Sequence, residues 1–326
     1  MKRIISKRLD NFLVYAPWWF PLIFVFLLIN YPSFNKFILI GSLFIFAETH
    51  FASTWTILIN KSNLAWIKKN LYEFCVLPIF VVFLIVAIWQ MSPEAILLVH
   101  YLASGWHVTR QSIGISKLSN SSSLRNKLII YSISFSCLLI GLIQPGFLST
   151  IIARKYLNLF IIIISLFYFI SLNNTSNSKL INLIKNNFAL ITGSLIYLPL
   201  LFVDNVAIAL AIGVGMHWIQ YLTIVSTINI RKLKNSIHNT HLLKRRSIKK
   251  DIFNGLTFIT LYSLVMTSFT LIGIPNDNEK GELISIFYLI PILFQMYHFY
   301  IDGYIWKFSD NHIKENILPF LFEKKI

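Results

Sequence analysis

The sequence predicts an all-α polytopic membrane protein, a transmembrane helical bundle of about ten spans with both termini cytoplasmic. Three observations lead there. First, the 326 residues are 56% hydrophobic and 15% aromatic but only 13% charged, a balance that a soluble domain does not show. Second, ten apolar stretches can be read, at about 12–30, 35–59, 72–91, 94–115, 127–143, 155–172, 186–203, 205–230, 252–274 and 283–306. Most approach or exceed the roughly 20 residues that cross a bilayer core. Third, the net charge of +16 is distributed with a side. With the N-terminus inside and ten spans, the inside segments carry 24 of the 29 Lys and Arg residues and the outside turns carry four, Lys36, Arg154, Lys155 and Lys280. The remaining one, Arg110, lies within a span. Such a bias is the positive-inside rule, and it accounts for the basic balance without a nucleic-acid partner, for which no recognition motif exists.

Taken in order, the chain opens on MKRIISKRLD, a basic anchor with no convincing small-residue cleavage site after it. Trp18, Trp19, Trp89 and Trp306 lie towards span ends, where amphipathic indoles anchor at the membrane interface. SNSSSLRNK and NNTSNSK read as polar turns between helices. The weakest stretches are 127–143, followed by Pro145, and 155–172. The longest polar interruption, Arg231 to Lys250, reads as a cytoplasmic loop touching anionic lipid head groups, with His238 and His241 solvated. No repeat and no long linker divides the chain, so residues 1–326 form one integral membrane domain, expected in a bacterial cytoplasmic membrane. Cys75 and Cys137 lack motif spacing and read as buried small residues rather than a disulfide or ligands. The oligomeric state is not legible.

Function is carried by four histidines at one depth: His50 in AETHFASTW, His107 in HYLASGWHVTRQ, His217 in MHWIQY and His298 in YHFYIDGYIWKF. Each follows the start of its apolar stretch by roughly 12–15 residues, or about 18–22 Å of helix. In the ten-span topology all four stretches run from outside to inside, so the histidines share a layer in the cytoplasmic half. Imidazole in hydrocarbon is costly, and four in one layer point to a shared site. A metal is the simplest occupant. Haem ligation, or interhelical hydrogen bonding without a cofactor, are the other readings.

Neighbouring residues extend the site. Gln111 is four residues from His107 and shares its helix face, with Arg110 three away; Gln220 and Tyr221 share a face with His217, and Asp302 with His298. Asp302 and Glu48 are among the few carboxylates within spans, and a ligating histidine usually donates its second ring N–H to such a group. Arg110 reads as bundle glue to Glu48 or Asp302, as a residue reaching the inner surface, or as a substrate contact. His100, two turns before His107, reads as a second-site ligand, a channel residue or an interhelical hydrogen bond. Four neutral imidazoles suit a late first-row metal, and open positions beside them could bind dioxygen. A bilayer-embedded site favours a lipophilic substrate. Two rivals belong to other classes: a membrane cytochrome with axial histidines, and a transporter relaying protons or binding ions through these residues, for which Gly213 and Gly215 before His217 leave room for a broken helix.

The order THFAST, HYLASGWH, MHWIQY and YHFYID resembles the Brp/Blh family of membrane β-carotene dioxygenases. The family's internal histidine pair corresponds here to His217 and Tyr221, and its early motif reads HFAST here. The resemblance covers most of the membrane core. It implies a non-haem Fe(II) oxygenase that uses dioxygen on a lipophilic, carotenoid or other polyene, substrate. His50, His107, His217 and His298 would hold the iron. Asp302 and Glu48 would orient ligands or balance charge, and Tyr221, Gln111 and Gln220 would shape the dioxygen or substrate side.

Overall fold

Leu-, Ile- and Phe-rich runs with few helix breakers must satisfy their backbone internally when water is absent, and an α-helix does this within one segment. A computed structural model describes residues 3–59, 61–119, 123–142, 187–238, 245–273 and 282–323, and all of its regular structure is helical. After a short helical stretch at Lys7–Tyr15, the helices are α1 (Trp19–Asn30), α2 (Pro32–Leu58), α3 (Lys61–Lys69), α4 (Tyr72–Met91), α5 (Pro93–Leu118), α6 (Leu124–Leu142), α7 (Phe188–Leu195), α8 (Val206–His238), α9 (Arg245–Gly273), α10 (Glu282–Ile305), α11 (Asn311–Asn316) and α12 (Leu318–Leu321). Pro32 and Pro93 open α2 and α5, where the missing N–H has no helical partner to lose.

Five helices are long and apolar enough to cross a membrane: α2, α4, α6, the Val206–Asn235 part of α8, and the Lys250–Gly273 part of α9. Lys7–Tyr15 and α1 make a sixth if a pair bent by 51° counts as one span. The difference from the ten expected stretches has identifiable sources. The 155–172 stretch lies outside the described residues. The 186–203 stretch forms only α7 and a 3-10 turn at Leu198–Leu201. The 94–115 and 283–306 stretches form the long helices α5 and α10, which are not among the five. The polar interruption after Arg231 is also shorter than expected. Helix α8 continues to His238 and α9 starts at Arg245, and His241 lies outside the described residues.

The chain divides into two compact units. Unit one comprises residues 1–39 and 105–220, and unit two comprises 40–104 and 221–326. In unit one, α7 packs on α6 through Ile130 and Leu190, joined by Ile113. The bend between Lys7–Tyr15 and α1 follows from Pro17, and side chains take up the carbonyls it releases. Thr192 Oγ1 donates to the Tyr15 carbonyl at 2.6 Å, Gln220 Nε2 donates to the Val14 carbonyl at 2.6 Å, and Trp18 Nε1 donates to Thr192 Oγ1 at 2.8 Å. Asp10 accepts from the Ile4 and Ile5 amides at 2.9 and 2.8 Å and closes the start of the chain.

In unit two, α9 packs along α10, and both contact α2. Ile85, Ile96, Leu289 and Ile292 form an apolar cluster. A π-helical turn at Tyr72–Val76 opens α4, and hydroxyls of α10 cover two of its carbonyls: Tyr300 donates to Glu73 at 2.7 Å and Tyr297 to Phe74 at 3.1 Å. At the C-terminal end, Arg231 Nη1 donates to the Phe320 and Leu321 carbonyls at 3.2 and 2.8 Å, which ties α12 to α8.

Candidate metal centre

Within α2 a further π-helical turn, Leu43–Glu48, ends two residues before His50. A π turn inserts a residue and rotates the face of everything after it, and such turns concentrate at functional sites. After it, His50, Ser53, Thr54 and Ile57 are all buried. Ser53 Oγ donates back to the His50 carbonyl at 2.7 Å, so its hydroxyl is spent within the helix. Thr54 instead reaches across the unit.

Helix α10 brings His298 and Asp302 to the same place, one turn apart. His298 and His50 stand edge to face, with ring centroids 4.6 Å apart and planes at 76°. His298 Nε2 is 3.5 Å from Asp302 Oδ2. Tyr221, the first residue of α8 that belongs to unit two, closes the group. Its ring is 4.4 Å from His50 and 5.6 Å from His298, and its hydroxyl donates to Asp302 Oδ1 at 2.8 Å. Thr54 Oγ1 lies 2.6 Å from Tyr221 Oη and 2.8 Å from His298 Nδ1. Each of these five residues is at most 3% exposed. Phe51 packs on His298 at 5.0 Å and Trp306 on Tyr221 at 5.6 Å, so apolar rings wall the polar group.

Glu48 is buried beside this group on the same helix, and its Oε1 accepts from Gln295 Nε2 at 3.1 Å. The His100 ring lies 5.7 Å from the Phe299 ring. Gln295, the partner of Glu48, is a residue the local sequence around the histidines did not single out.

Unit one holds the other pair. His107 on α5 and His217 on α8 stand edge to face, with centroids 5.8 Å apart and planes at 89°, and both are buried. Glycines let the α8 segment before His217 pack closely. A Cβ on Gly213 would overlap the Ile196 carbonyl oxygen, and one on Gly215 would overlap the Phe20 ring. Helix α8 runs unbroken through both, so they serve close packing rather than a helix break. Thr109 and Ser112 beside His107 bond their own i−4 carbonyls at 2.7 and 2.9 Å. The remaining candidates of this unit sit elsewhere. Gln220 holds the bent N-terminal segment. Arg110 is exposed, with its guanidinium 6.0 Å from the Trp106 ring on its own helix. Gln111 is half-buried.

Imidazole nitrogen and carboxylate oxygen are the ligand types that first-row transition metals take. The buried histidines and Asp302 fit that chemistry and can hold a metal ion. No protein-family model, no curated protein and no solved structure matches this chain.

Proposed function

We propose that the chain is a membrane-embedded non-haem iron oxygenase acting on a lipophilic substrate of the carotenoid or polyene class. The observation that carries this reading is the buried group of His50, His298, Asp302 and Tyr221, built from metal-ligand chemistry inside apolar helices. Grouping ionisable side chains in such surroundings has a cost, and function is its ordinary reason. The motif order supports the polyene class.

Iron bound to such ligands supplies a centre that binds and activates dioxygen. The chain's own residues do the rest. Thr54 and Tyr221 hold His298 and Asp302 in place through hydrogen bonds. Phe51 and Trp306 keep water from the polar group. An apolar substrate partitions into the bilayer and is already concentrated at the protein's apolar surface.

The first test is metal analysis of detergent-purified protein together with its visible absorption. Bound iron without a Soret band is expected. His298→Ala should reduce metal to background, and alanine at His50, His107 and His217 asks which of the layer residues are needed. In bacteria that accumulate β-carotene, expression should bleach the pigment and yield retinal, His298→Ala should not, and Lys249→Ala should behave as the parent does. Retained pigment would remove β-carotene as substrate. Protein with no transition metal, and function unaltered by alanine at every one of these histidines, would reject the oxygenase reading.

A further inference from the structure

We propose that Thr54 is a positioning residue that fixes the tautomer of His298, so that His298 Nε2 and Asp302 Oδ2 together face one cation. The inference rests on the metal reading above and follows from counting protons along one chain of hydrogen bonds. Asp302 as a carboxylate can only accept, so the single proton of the Tyr221 hydroxyl goes to Asp302 Oδ1 across 2.8 Å. Tyr221 Oη then has only lone pairs left for Thr54, and the 2.6 Å contact is filled by the Thr54 proton. Thr54 has no second proton. Its remaining contact, 2.8 Å to His298 Nδ1, must be an N–H donated by the imidazole. A neutral imidazole carries one N–H. Nε2 is therefore a lone-pair atom.

That assignment has a consequence at the other side of the ring. Nε2 lies 3.5 Å from Asp302 Oδ2, so a ring lone pair and a carboxylate oxygen lie at the spacing of two ligands to one cation. With metal–ligand bonds of about 2.1 Å, a separation of 3.5 Å subtends about 110° at the ion, near the tetrahedral angle. The pair thus has the bite of two adjacent ligands, and Asp302 is placed as a ligand as well as a partner of Tyr221. Ser53 cannot take over from Thr54, because its hydroxyl is bonded to the His50 carbonyl.

The direct test is ¹⁵N NMR of the full chain in detergent with labelled histidine, using His298→Gln to assign the resonance. The Nδ1–H tautomer is expected in metal-free protein. An Nε2–H tautomer, or a ring protonated on both nitrogens, overturns the proposal. The second arm titrates cobalt(II) alone and reads its visible d–d bands. Thr54→Val keeps the shape and removes the hydroxyl; it should weaken cobalt binding by about 10- to 100-fold and alter the bands, while Thr54→Ser should restore both. Parental affinity and spectrum in Thr54→Val overturn the proposal. If Thr54→Val does not fold, the NMR result on the parent still decides. Failure of the parent to bind cobalt would instead strike the metal reading, and the tautomer result would remain separately legible.

Discussion

The two units each bury a pair of histidines edge to face, but they hold the pairs by different means. In unit one, where His107 and His217 meet, the helix that carries His217 is held by close packing: Gly213 and Gly215 let α8 lie against the Ile196 carbonyl and the Phe20 ring. In unit two the placement of His50 and His298 depends on a directed chain of hydrogen bonds through Thr54, Tyr221 and Asp302. Packing of the first kind fixes where a ring sits and leaves its protons unspecified. A hydrogen-bond chain fixes the protons too. Unit two is therefore the half whose chemistry can be read atom by atom.

The largest expected effect tests the packing side. Gly213→Ala puts a methyl into the Ile196 carbonyl, which is backbone and cannot yield. Overpacking of this kind costs about 1–3 kcal/mol or more, and loss of folded protein after detergent extraction is expected. Gly255→Ala in α9 is the control, because nothing lies within 4 Å of its added methyl. There the exchange should be neutral or raise the melting temperature, since alanine favours a helix by about 1 kcal/mol over glycine. Equal behaviour of the two variants would break the claim that unit one depends on close backbone approach.

A sharper contrast comes from adjacent residues of α8. Gln220 spends its amide on the Val14 carbonyl, whereas Tyr221 spends its hydroxyl on Asp302. Gln220→Leu leaves a buried carbonyl without its donor, at about 1–3 kcal/mol, and should lower thermal stability while leaving the metal spectrum of correctly folded protein unchanged. Tyr221→Phe removes two buried hydrogen bonds, to Asp302 and to Thr54, and it should alter the cobalt spectrum, because Asp302 loses the donor that orients it. If Gln220→Leu changed the spectrum as much as Tyr221→Phe, the separation of the two roles would fail.

The same neighbours show what the sequence could reveal. Apolar runs marked α2, α4, α6, α8 and α9, because their composition is sufficient by itself. The i, i+4 spacing of His298 and Asp302 placed both on one face, as the 3.5 Å separation reflects. Gln220 also shares a face with its histidine, yet its partner is 206 residues away, and no local spacing reports that. Thr54 was missed for a related reason. A threonine in an apolar helix ordinarily bonds its own preceding turn, as Thr109 and Thr227 do, and its partners here lie 167 and 244 residues along the chain. Gly213 and Gly215 were visible, but glycine permits both a broken helix and a close crossing. Only the position of Ile196 distinguishes them.

The smallest effect lies outside the spans, at the C-terminal cap of unit two. His312 on α11 stacks on Trp66 with centroids 4.8 Å apart and planes at 5°. Its Nε2 is 2.7 Å from Asn63 Oδ1, and Asn63 Nδ2 is already bonded to the Ile57 carbonyl, so Nε2 donates. Its Nδ1 accepts from Asn316 Nδ2 at 3.3 Å, which suits a neutral ring. Burial holds this imidazole below its usual range; Lys232 lowers it further, while Asp310 and Glu315 pull the other way. A depressed histidine stabilises the docked cap above its undocked value of about 6.5. As pH falls through that value the undocked form takes up the proton first, and the contribution is gone once pH has passed the docked value. Protease cleavage within residues 311–321 should therefore rise on going from pH 8 to pH 5.5. The rise should be small, of the order of a few-fold, because the ring is only partly buried. His312→Gln keeps a donor without a titrating group and should flatten the profile. A steep profile that survives His312→Gln would assign the pH response to another group.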